Sequence, residues 1–258
     1  MADAIVVSGP ISGTDKTLTL EAGKLAGQAD GAVTVRLDGT VVLVTATASK
    51  GVREGIDFFP LTVDIEERMY AAGKIPGSFF RREGKASDQA VLTCRLIDRP
   101  IRPAFPDGFR NEIHIVGTVL AADLVNPHDV LAMNGASAAL YASGIPFNSP
   151  VGSVRMAFSA DGSWIPFPTY EEGEECTFEM VVAGRENDEG DIAIMMVEAG
   201  GNEGAHERYE AGAVKVDEEI LAGGLEVAKT WIRESIDLQL ELARKLGVDL
   251  AIDVSKMR

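Results

Sequence analysis

Residues 32–48 read AVTVRLDGTVVLVTATA. Two β-branched runs flank Asp38-Gly39. That dipeptide is a strong hairpin signal, because both residues tolerate the backbone of a tight turn. In the first arm Val33, Val35 and Leu37 alternate with other residues, the period of a half-buried strand. The second arm, Val41 to Val44, is continuously apolar and predicts a central strand. Thr17 to Glu21 predicts an earlier strand of the same sheet. Phe58 to Ile65 (FFPLTVDI) predicts a further one, with Pro60 placing it at an edge or a bulge because proline has no N–H to donate.

Beyond these strands the patterning changes. Arg68 to Gly84 has no sustained period and contains Gly73, Pro76, Gly77 and Gly84, so it reads as a long loop, and long ordered loops tend to carry function. Ser87 to Asp98 predicts a helix with Ser87 as N-cap, a buried stripe of Ala90, Val91, Cys94 and Ile97, and an end at Pro100. Asn111 to Asp123 predicts a strand, and His128 to Ser143 a small-residue helix able to pack closely on the sheet. Four more strands are expected at Val151 to Phe158, Trp164 to Pro168, Cys176 to Ala183 and Asp191 to Val197. Asp217 to Leu246 predicts a long amphipathic helix, with Gly223-Gly224 a point where it could break in two. Strands followed by helix, strand and helix make an α+β pattern.

The 258 residues carry a net charge of −16, with 46% hydrophobic and 25% charged residues, an ordinary balance for a folded soluble protein. No apolar run approaches the length of a membrane helix, so no membrane partner is expected, and the N-terminus lacks the features of a secretory signal. Cys94 and Cys176 stand far apart with no clustered histidines. They argue against structural zinc and fit a reducing cytoplasm.

Charge is distributed unevenly. Between Arg68 and Arg110 nine basic residues face four acidic ones, whereas from Glu171 onward nine basic face twenty-two acidic. A basic patch on an acidic body can focus an anionic strand onto one place. Within the patch, Arg95 and Arg99 are four apart and share a helix face, and Arg102 follows just past Pro100. Guanidinium forks bind phosphate oxygens with two donors each. The competing reading pairs Arg95 with Asp98 or a nearby carboxylate and leaves Arg102 as plain surface. Phe79, Phe80, Arg81 and Arg82 sit together in the glycine-flanked loop. Aromatic faces stack on bases without regard to sequence, and arginines hold the phosphates between them. On composition alone, the two phenylalanines read rather as a plug into the core. No Walker loop, nucleophile elbow or H-E-x-x-H motif is present, and His114, His128 and His206 are scattered.

Three longer stretches carry a family resemblance: DFFPLTVDIEERMYAAGKIPGSFFRREGKAS, TCRLIDRPIRPAFPDGF and MNGASAALYASGIPFNSPVG. They resemble the first core domain of the bacterial polynucleotide phosphorylases, strongly from Asp15 to Ala199 and more weakly into the last helix. The resemblance implies an RNase PH-like β-α-β core in two parts, residues 1–150 and 151–212, with 213–258 starting a helical segment. In that family two cores and the helical segment make one protomer, and three protomers form a ring through which single-stranded RNA is threaded. Inorganic phosphate, assisted by Mg2+, attacks the 3′-terminal phosphodiester and releases nucleoside diphosphates, and the reaction also runs in reverse as polymerisation. Phe79 to Arg82 are similar to the family's channel-constriction loop, and Arg95, Arg99 and Arg102 to the basic cluster along the RNA path.

The family's catalytic second core has a serine-rich phosphate loop before its G-A-S-x-A-L helix; here that place reads NPHDVLAMNGASAAL. Its Asp-Phe-Lys-Val-Ala-Gly stretch corresponds to Glu179-Met180-Val181-Val182-Ala183-Gly184, with valine in place of the lysine. The resemblance is therefore to the RNA-guiding half, with no catalytic residue and no metal site expected in this chain, which reads as a fragment of a longer enzyme. The alternatives are a non-enzymatic RNA-binding or ring-forming module and an autonomous nucleotide-handling enzyme.

Overall fold

Period-two patterning builds the first sheet of the computed structural model, which describes residues 4–77 and 83–248. Leu18 and Leu20 of β2 (Thr17–Ala22) are buried, as are Val33, Val35 and Leu37 of β3 (Gly31–Leu37) and Val42, Val44 and Ala46 of β4 (Thr40–Ala48). β3 and β4 pair from Leu37 opposite Thr40, and Asp38 in the turn takes the left-handed backbone, φ 49°. β1 (Ile5–Pro10) adds an outer strand beside β2. With β5 (Leu61–Glu66) and β6 (Ile113–Ala121) the order is β1-β2-β3-β4-β6-β5. β5 is an edge strand, as Pro60 predicted, and begins just after it. Every neighbour in this sheet is antiparallel except β5 with β6. A parallel pair needs a crossover, and α1 (Asp88–Ile101) supplies it.

α1 differs from its sequence reading in two respects. It runs through Pro100 to Ile101 instead of ending before it. A proline near the C-terminal end costs one backbone bond only, and the ladder resumes where the Arg102 N–H donates to the Asp98 carbonyl. The buried stripe is Ala90, Thr93, Leu96, Ile97, Pro100 and Ile101, while Val91 is 48% exposed and Cys94 half-buried. Thr93 can be buried because its hydroxyl donates to the Gln89 carbonyl one turn back, at 3.0 Å. Ser87 caps the helix as predicted, its hydroxyl accepting from the Ala90 N–H at 2.9 Å.

The second sheet holds β7 (Gly152–Phe158), β8 (Trp164–Pro166), β9 (Phe178–Glu186) and β10 (Ile192–Gly201) in the antiparallel order β10-β9-β7-β8. α2 (Asp129–Ser143) and, after the short α3 (Tyr170–Glu175) and α4 (Ala205–Glu210), the long α5 (Glu218–Leu246) each contact both sheets and each other. α2 is buried from Asp129 through Leu140. It presses onto the first sheet at Gly135, where a Cβ would lie 2.7 Å from Val44 and 2.8 Å from Val35. Buried polar groups fix the assembly: Asn134 exchanges bonds with Ser153, and the Ser137 hydroxyl lies 2.6 Å from Gln239 Oε1.

α5 is one continuous helix through Gly223-Gly224. Gly224 serves packing there: a Cβ would lie 2.5 Å from Met180 and 2.6 Å from the Trp164 ring. No helix among the described residues is long and apolar enough to cross a membrane.

Candidate functional site

The three arginines predicted to act together lie on one groove of about 580 Å³, between Leu61–Val63 at the open edge of the first sheet and the outer side of α1. Their surroundings differ. Arg102 is the most engaged of the three: Nε and Nη2 donate to the two Asp98 oxygens at 3.1 and 2.6 Å, and Nη1 donates to the Phe59 carbonyl at 2.9 Å. Its guanidinium carbon also lies 5.7 Å from the centre of the Phe59 ring. Asp98 thus takes Arg102, not Arg95, as its partner. Arg99 forms an ion pair with Glu198 of β10 at 3.1 Å, both side chains about half exposed at 52% and 54%. Arg95 is exposed in the groove and makes no ion pair or hydrogen bond among the described residues.

Phe79, Phe80, Arg81 and Arg82 lie outside the described residues. The chain on their C-terminal side is anchored to the end of β5. Arg68 Nη1 donates to the Glu83 carbonyl at 2.8 Å, and the Glu83 carboxylate accepts from the Met69 N–H. Ser87, at the cap of α1, donates to Glu67 at 2.7 Å, and the other Glu67 oxygen meets His128 Nε2 at 2.9 Å. Glu83 and Ser87 are therefore tied to the residues that follow β5, at the N-terminal end of α1.

A second feature escaped the sequence reading. A cavity of about 600 Å³ adjoins another of about 350 Å³, and both are lined by Asp129, Arg155 and Glu179. Arg155 Nη1 donates to Glu179 at 2.8 Å and Nη2 to Asp129. Burial alone would lower the affinity of Arg155 for its proton, but the two carboxylates outweigh it and raise the pKa. Asp129 also accepts from the Val130 N–H at 2.7 Å. A helix N-terminus attracts anions, and here a carboxylate of the chain itself already occupies it. Val181, standing where the family's lysine is expected, is 3% exposed and belongs to the core. The sequence signal was a lone arginine in the apolar run SVRMAF.

Magnesium, implied by the resemblance for the whole enzyme, finds no fitting donor set here. Asp129 and Glu179 are both already engaged by the Arg155 guanidinium, and no cluster of three metal-ligating side chains occurs among the described residues. Both cysteines are free thiols; burial pushes Cys176 up to about 11 and also raises Cys94.

The family model for domain 1 of the 3′ exoribonucleases, RNase PH, matches residues 15–146, about half of the chain. The chain belongs to the RNase PH family. Among curated relatives it is 53% identical over 244 residues to a polyribonucleotide nucleotidyltransferase of Acidothermus cellulolyticus, covering 95% of this chain and 31% of the relative. It is 55% identical over 228 residues to that of Salinispora arenicola, covering 88% and 29% respectively. The chain thus spans about three-tenths of the length of these relatives. Among solved structures it resembles a chain of the Archaeoglobus fulgidus exosome with RNA bound to the active site, with TM-score 0.62 and 15% identity over 90% of this chain and 86% of that one. Rice Rrp46 gives TM-score 0.63 at 13% identity, covering 87% and 94%. These structural likenesses establish the RNase PH-like α+β fold.

Proposed function

We propose that this chain is the RNA-guiding first core of a polyribonucleotide nucleotidyltransferase. In the whole enzyme, phosphate-dependent 3′-to-5′ degradation of single-stranded RNA releases nucleoside diphosphates. On this reading the chain assembles into a trimeric ring in the cytoplasm, with residues 1–150 and 151–212 as the two parts of the core. The phosphate and Mg2+ chemistry is supplied by residues outside this chain.

The observation that carries the reading is the α1–β5 groove, where, among the described residues, Arg95 has no partner and Arg99 is held only by an exposed ion pair. Free guanidinium groups on an otherwise acidic protein hold an anionic strand at that place. Phe79 to Arg82 precede α1 in the sequence, and on this reading their aromatics stack on bases while Arg81 and Arg82 hold phosphates. Arg102, held by both Asp98 oxygens and the Phe59 carbonyl, shapes the groove on this reading. In the cavity around Arg155 two carboxylates outnumber the one guanidinium and occupy it, so among the described residues no free cation is offered to a phosphate there, which favours guidance over catalysis.

The test pairs two measurements. The chain alone should bind labelled single-stranded RNA and, given inorganic phosphate, release no nucleoside diphosphates. Robust release by the isolated chain would overturn the guiding role. Adding the remainder of a relative's chain in trans should restore phosphate-dependent degradation. Failure of that restoration, with RNA binding intact, would favour a free-standing RNA-binding module.

A further inference from the structure

Arg99 stands at the boundary between two faces of α1. Gln89, Leu92, Thr93 and Leu96 face the 350 Å³ cavity toward β10, whereas Arg95, Asp98 and Arg102 face the groove beside β5. Arg99 lines the groove, yet its guanidinium is paired with Glu198, which lines the cavity. Glu198 comes from the middle of β10, opposite Val181 of β9, so a strand of the second sheet holds it in place. The pair is solvent-exposed on both sides.

We infer that Glu198 is a built-in competitor for the RNA backbone: it holds Arg99 until a phosphate in the groove displaces it. This rests on the RNA-guiding reading and specifies how that site is regulated. The exchange is cheap because an exposed ion pair is weak, screened by salt and costly in side-chain entropy. A backbone phosphate offers guanidinium two acceptor oxygens in matching geometry. Arg95 has no such competitor among the described residues and Arg102 is held by a two-donor grip on Asp98, so the three arginines form a graded set. Arg95 binds at first contact, Arg99 joins when Glu198 yields, and Arg102 stays a strut. Weak or misplaced strands then gain one phosphate contact, and well-seated strands gain two.

The test is a double-mutant cycle on this chain, reading the dissociation constant of fluorescein-labelled oligoadenylate by anisotropy at low salt. Glu198→Gln should tighten binding by about two- to five-fold, the range expected for release of an exposed ion pair. In an Arg99→Ala background the same substitution should change nothing. If Glu198→Gln tightens binding equally in both backgrounds, the effect is general charge and the competitor role is overturned. No tightening in the Arg99-containing chain overturns it as well. Arg95→Ala separates the two levels. If Arg95→Ala weakens binding while Glu198→Gln is silent, only the competitor role falls. If Arg95→Ala is silent too, the RNA-guiding reading falls with it.

Discussion

Arg102 grips Asp98 with two donors, at 3.1 and 2.6 Å, and with a third it reaches the Phe59 carbonyl ahead of β5. Arg102, the residue that caps the C-terminal end of α1, is therefore a strut joining that end to the start of the edge strand. Arg102→Ala should cost about 1 kcal/mol of stability, the upper range for a partly exposed ion pair with good geometry. Thermal unfolding would measure it. The salt dependence of RNA binding should be unchanged, because no phosphate contact is lost.

Arg155 carries a larger share of stability. Its guanidinium separates Asp129 and Glu179, and Asp129 is 5% exposed. Arg155→Met would leave two uncompensated carboxylates and should destabilise the fold by about 3–5 kcal/mol. Denaturant titration of the triple variant Arg155→Met, Asp129→Asn, Glu179→Gln should recover much of that loss, since the orphaned charges go with their partner.

Asp123 predicts an acid-sensitive turn. Burial alone would raise its pKa, but hydrogen bonds from the Asn126 backbone and side chain, the Val125 N–H and the Thr40 hydroxyl hold it down to about 2. The folded chain therefore releases this proton more readily than the unfolded chain. Its contribution to stability is full above the ordinary carboxylate pKa of about 4 and is lost as pH falls toward 2. Urea melts of Asp123→Asn should show a shallower loss of stability than the parent between those pH values, and a lower plateau above them.

The glycine pair in α5 separates packing from propensity. Gly224→Ala would push a Cβ into Met180 and Trp164, and should cost about 1–3 kcal/mol. Gly223 faces open space, so Gly223→Ala should stabilise by about 0.5–1 kcal/mol through helix propensity alone. Opposite shifts in melting temperature are the expected result.

What the sequence made legible followed from periodic burial. The hairpin at 32–48 could be read because one buried face imposes strict alternation on Val33, Val35 and Leu37. β1 could not, since only Val7 of IVVSGP is buried and the strand holds its place mainly by pairing with β2. The buried stripe of α1 was displaced because threonine reads as polar, whereas Thr93 satisfies its own hydroxyl within the helix. The Asp129–Arg155–Glu179 cluster draws on α2, β7 and β9, and no local spacing announces a contact among three elements. The arginines were legible as a group, but their division into strut, held and free residues depended on Asp98, Phe59 and Glu198, whose roles only the fold assigns.

The most direct test of RNA guidance by the α1 groove is the salt dependence of single-stranded RNA binding for the parent and for Arg95→Ala. If Arg95 touches a backbone phosphate, its loss should weaken binding and reduce the slope of log affinity against log salt by about 0.7. An identical slope and affinity in the two proteins would mean that RNA does not follow this groove, and would contradict the account.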